Sequence, residues 1–140
     1  MKLCVSTVLA GLLLCSQPAQ TQSLRPDFTS AELVQFATAV RTALARGNVD
    51  ALARHVLFPL RVDTTAGVHF VQKADFIGEY PRVFTTNVKA AILEQDLDAL
   101  EASTINVKLG NGVVLIESTC TFRRCEKGSL KIVAIDLRPQ

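Results

Sequence analysis

The stretch from Gly112 to Asp136 constrains the fold more than any other part of this chain. Val113, Val114, Leu115 and Ile116 open one apolar run, and Leu130, Ile132, Val133, Ala134 and Ile135 form a second. β-Branched residues of this kind pack well on a pleated surface and are stiff in a helix. Gly110, Asn111, Gly112 and Gly128 bound the runs, so the pattern predicts a long β-hairpin. Such a hairpin needs amphipathic elements to cover one face, and the rest of the chain supplies them.

The first of these is written from Thr29. Thr29, Ser30, Ala31 and Glu32 have the S/T-x-x-E form of a capping box. Leu33, Phe36, Ala37, Val40 and Leu44 follow at i, i+3, i+4, i+7 and i+11, one stripe of an amphipathic helix, and Arg46 and Gly47 provide a stop. Asn48 can cap a second, short helix from Asp50 to His55. Phe58 before Pro59 is pushed towards extended backbone, which ends that helix. Leu60 to Asp63 and Val68 to Val71 then read as a first hairpin around a Thr64 to Gly67 turn, with Pro59 at its outer start.

Lys73 to Tyr80 has helical spacing, with Pro81 expected to break it. Asn87 begins a third helical piece with Val88, Ile92 and Leu93 on one face. Asp96 to Ala102 is read as a short strand and Ile105 to Leu109 as another, before the Gly110 to Gly112 turn. The predicted class is α+β, with helices on one side of a curved, mostly antiparallel sheet. The expected core is Leu33, Phe36, Val40, Leu44, Leu52, Phe70, Phe76, Phe84, Leu115, Ile132 and Ile135.

Lys2 followed by an apolar run to Cys15 and the polar SQPAQTQS has the form of an export signal and is too short to span a bilayer. Cleavage is expected between residues 19 and 23, leaving 24–140 as one domain of a size that buries about two-thirds of its unfolded surface. Lipidation at Cys15 is the weaker alternative, because Leu14 stands where a small residue is normal. The expected location is therefore periplasmic or secreted. No second apolar stretch is long enough for a membrane span.

Of four cysteines, Cys4 and Cys15 lie in the leader. Cys120 and Cys125 remain, and a pair in an oxidising compartment reads as a disulfide. Closing so short a ring should add about 2 kcal/mol on the chain-entropy model, enough to pin a hairpin tip. A metal site would need further soft ligands, and no other Cys or His is near in sequence. Without Lys2, fourteen basic residues face thirteen acidic ones. The charges are interspersed, and the one basic pair, Arg123 and Arg124, has no clustered aromatics beside it, so nucleic acid is not an expected partner.

Phe58 to Val62, Ala74 to Tyr80, Val83 and Phe84, Gly110 to Gly112 and Lys131 to Asp136 together resemble exported members of the nuclear-transport-factor-2-like superfamily, polyketide cyclases among them. The C-x4-C spacing of Cys120 and Cys125 is similar to that of uncharacterised bacterial members. The resemblance covers about Thr29 to Leu137. It implies a cone: a strongly bent sheet wrapped around a pocket and plugged by a long N-terminal helix. Relatives of that shape include isomerases, cyclases, dehydratases and binding modules, so the shape does not choose a chemistry.

In such a cone Arg61, Asp63, His69, Tyr80 and Glu117 are the candidate pocket residues. Proton transfer beside a carbonyl would need a carboxylate base facing a tyrosine or protonated acid, and Asp63 or Glu117 with Tyr80 could be arranged so. Each also has a plainer reading. Arg61 and Asp63 share a strand face and are solvated if it points outward; His69 is placed on the polar face of its strand; Tyr80 packs. Glu117 reads equally as the point where its strand emerges into solvent. No nucleophile elbow, phosphate loop or dinucleotide fingerprint is present, so no catalytic residue is assigned and no cofactor is expected. The sequence thus favours an exported, non-catalytic domain binding a small apolar ligand or a partner protein in the cell envelope. Runners-up are a small isomerase or cyclase-like enzyme with a pocket carboxylate, and an envelope inhibitor or immunity-type protein using Lys108, Glu117 and Lys131. A homodimer, if formed, is expected through the sheet face.

Overall fold

A computed structural model describes residues 28–100, 107–119 and 128–139. The proposed signal, the Cys120 and Cys125 pair and the Arg123 and Arg124 pair lie outside the described residues. Helix α1 (Ser30–Ala45) starts at the expected capping box: the Thr29 hydroxyl accepts from the Glu32 amide at 3.2 Å, and the Glu32 carboxylate accepts from the Thr29 amide at 2.8 Å. Two orphan donors are satisfied at once. The expected stripe is buried. Gly47, at φ 61, turns the chain into α2 (Val49–Ala53), capped by the Asn48 side chain. This helix stops short of the expected end, so His55 lies beyond it.

Strand β1 (Val56–Thr64) begins earlier than the sequence suggests, and Pro59 sits inside it, not at its start. The missing proline N–H is accommodated where pairing between β1 and the last strand shifts register, between Val56 and Arg61. Strand β2 (Gly67–Val71) completes the first hairpin. Helix α3 (Phe76–Val83) continues through Pro81, contrary to the expected break. The ring removes one N–H from an eight-residue helix, but burial of Phe76, Val83 and the capping Phe84 holds the turn together. Helix α4 (Thr86–Glu94) buries Val88 and Ile92. The strand expected from Asp96 is instead a turn as far as Leu100, which points into the core.

Strands β3 (Val107–Leu109), β4 (Val114–Thr119) and β5 (Ser129–Asp136) follow. β4 and β5 form the predicted antiparallel hairpin. The five-stranded sheet has the order β2-β1-β5-β4-β3, with β1 and β5 parallel and every other pair antiparallel. The class is α+β in a single domain with a mixed sheet. One register row, Leu109, Val114, Ile135 and Val62, is wholly buried, as is the row Val107, Ile116, Ile132 and Val56. Leu33, Phe36, Val40, Phe76, Phe84 and Ile92 of the helical layer join the same core.

Two expected core residues are displaced. Phe70 is 59% exposed, because pairing of Leu60 with the buried Val71 turns its neighbour to the opposite face. Leu115 is only half-buried, on the row that runs through Lys108, Ala134, Arg61 and Phe70. Among the described residues no helix is long and apolar enough to cross a membrane.

Candidate functional site

The five residues singled out from sequence do not converge. Arg61 Nε donates to Asp63 Oδ1 at 2.8 Å on the outer row of β1, where Asp63 is level with Asp136 of β5. Asp136 in turn accepts from the Arg138 amide, Nε and Nη2 at 3.0, 2.8 and 2.6 Å. Those bonds to the charged form hold its carboxyl at about 2, below the ordinary value. His69 is level with the buried Val62, so it stands on the inner row, not the polar one. It is nonetheless exposed, because β2 is the sheet's edge strand. Glu117 is at the far end of the hairpin opposite Lys131.

Tyr80 belongs to the helical layer. Its ring stacks on Phe84 with centroids 5.5 Å apart, meets Phe76 edge-on, and carries Lys89 Nζ 4.7 Å above it. That is packing with a cation over a π face. No polar or charged residue is buried among the described residues, so the proton-transfer geometry has no interior carboxylate there to start from.

The concave features lie elsewhere. A cleft of about 660 Å³ is lined by Thr85, Asn87, Val88 and Ala91 of the α4 region, the turn at Gly110 and Asn111, and the segment from Asp136 to Pro139. Its strongest polar groups, Asp136 and Arg138, are already consumed by one another. The turn that walls it is held by Gln95, whose Oε1 accepts from the Gly110 and Asn111 amides at 2.7 and 3.3 Å.

A second cleft, of about 450 Å³, opens between α1 and the start of β1 and β5. Phe28, Phe36, Ala39 and Leu130 give it apolar walls, while Arg54, His55 and Lys131 bring basic groups to it. A smaller cleft of about 260 Å³, reaching to Thr42, Arg46 and Asn48, shares Ala39 and His55 with it. The two adjoin at Ala39 and His55 and together are called the groove along α1.

The geometry here is fixed by the backbone. The His55 carbonyl accepts from the Ile132 amide at 2.8 Å, locking the β1 entrance onto β5. Lys131 Nζ donates to the Arg54 carbonyl, and the imidazole meets Phe36 edge-on. Burial, then Lys131 and Arg54, lower the pKa of His55, so the ring is neutral at neutral pH. Sequence reasoning did not assemble this group: His55 reads there as a lone histidine at the end of a short helix, and only the parallel β1–β5 pairing brings Lys131 to it and to Arg54. No protein family, no curated protein and no solved structure matches the chain.

Proposed function

We propose that this chain is an exported, non-catalytic domain that binds a small apolar ligand in the groove along α1. The observation that carries the reading is the groove itself: apolar walls from Phe28, Phe36, Ala39 and Leu130, with a few polar groups at one place, within the size range of small-molecule sites. Kinship with the nuclear-transport-factor-2-like superfamily, and a sheet curved around α1 as a cone, belong to the same reading. The α+β order and the mixed sheet are in keeping with it. Export rests on the leader, and the absence of an assembled acid, base and nucleophile among the described residues favours binding over isomerase or cyclase chemistry.

The test is a thermal-shift and calorimetric screen of small apolar molecules against the protein and its Ala39→Phe variant. Ala39 lines both parts of the groove and is only half-buried, so a larger side chain there fills the groove without entering the core. Stabilisation of the parent by a ligand that leaves the variant unmoved supports the reading; stabilisation of both equally removes it from this groove.

A second reading is favoured by one observation. Val68 and Phe70, 52% and 59% exposed, stand together on the outer face of the edge strand, where a partner protein or a second copy would cover them. Phe70→Ser should abolish such an association and leave ligand binding intact, as read by analytical ultracentrifugation and calorimetry.

A further inference from the structure

The groove along α1 is more specific than an apolar slot, and the following rests on the ligand-binding reading above. Arg54 makes no ion pair among the described residues, and Lys131 spends its one described hydrogen bond on a neutral carbonyl, that of Arg54. The carboxylate in register with Lys131 is Glu117, across the β4–β5 ladder, and both basic side chains line the groove. Their combined field is felt by a third group: it acts on His55 in the direction that disfavours a further positive charge. Among the described residues the groove has one acid, Glu32, whose carboxylate accepts from the Thr29 amide and hydroxyl at the helix start, at 2.8 and 3.2 Å.

From this arrangement we infer that the ligand is an aliphatic monocarboxylate, its chain lying on Phe28, Phe36, Ala39 and Leu130 and its carboxylate between Arg54 and Lys131. The guanidinium offers two parallel N–H donors to a carboxylate, and the ammonium retains donors beyond the one given to the carbonyl. Neutral His55 can add one N–H to the head group or pack its ring against the chain beside Phe36. Such a ligand satisfies both halves of the site: the walls take its apolar surface from water, and the head brings a negative charge to the two basic groups.

Octanoate and 1-octanol separate the two halves, because they share a chain and differ in the head. Isothermal titration calorimetry on the full mature chain should give octanoate an affinity about tenfold or more above that of 1-octanol, the size expected of charge-assisted hydrogen bonds. Arg54→Gln, at an exposed position that leaves the core untouched, should remove most of that difference. Arg54→Gln with Lys131→Gln should remove all of it, while 1-octanol binds as before. Equal affinity for the two probes in the parent protein, or an octanoate affinity unmoved by Arg54→Gln, overturns the carboxylate assignment and leaves the apolar-ligand reading standing. Failure of both probes to bind the parent overturns the two together.

Discussion

The imidazole of His55 stands edge-on to the ring of Phe36, with centroids 5.4 Å apart and planes at 87°. One residue comes from the middle of α1 and the other from the loop before β1, so this pair joins the helical layer to the sheet at the floor of the groove. An edge-to-face contact adds modestly to the burial that both rings already gain. Phe36→Ala should therefore cost about 3 to 5 kcal/mol in urea unfolding. A loss below about 1 kcal/mol would mean that α1 is not part of the packed core.

The lowered pKa of His55 makes stability depend on pH in a definite direction. Between its folded value and the ordinary 6.5 the unfolded chain binds more protons than the folded one. The stabilisation is present in full above about 6.5 and lost as pH falls through the folded value. His55→Gln should flatten this part of the urea midpoint against pH. Lys131→Gln should move the imidazole titration, followed by NMR, back up towards the ordinary value.

Asp136 has the opposite chemistry and the same sign. Its carboxyl is held at about 2 by Arg138, so the pair's contribution is present above the ordinary value of 3.8 and lost as pH falls towards 2. In Arg138→Gln the carboxyl resonance of Asp136 should titrate near its ordinary value. An unchanged midpoint would mean that the guanidinium is not its partner in solution.

The turn between β3 and β4 has little tolerance. Gly110, Asn111 and Gly112 all have positive φ, and a Cβ on Gly110 would meet Ile92 Cγ1 at 3.2 Å. Gly110→Ala combines backbone strain with crowding and should destabilise by about 1 to 3 kcal/mol. Gln95→Ala, which strips the acceptor from two amides, should cost about 1 to 2 kcal/mol. Chemical denaturation of both variants decides whether this wall is as rigid as its hydrogen bonds require.

Cys120 and Cys125, outside the described residues, are expected to form a disulfide in exported protein. Intact mass after alkylation without reductant should show no label, and two labelled thiols would exclude the bond. Cys125→Ser should then loosen the hairpin tip and leave the domain folded.

Local rules determined much of this protein. Thr29 with Glu32, Asn48, and the Gly110 to Gly112 run act over three or four residues, and each forms the cap or turn that its chemistry dictates. The stripe of α1 and the β4–β5 hairpin were likewise legible, because periodicity and β-branching mark a buried face without knowledge of the partner. Register was not. Whether Phe70 or Val71 enters the core is a one-residue choice fixed by the pairing with Leu60 and by what covers the sheet, and both residues are apolar. Pro81 failed as a helix stop because the aromatic cluster around Phe76 outweighs one missing hydrogen bond. The groove was hidden for the same reason as the register. Arg54 and His55 reach Lys131 only through a parallel pairing of strands some seventy-seven residues apart in the chain, and no local pattern records a contact of that range.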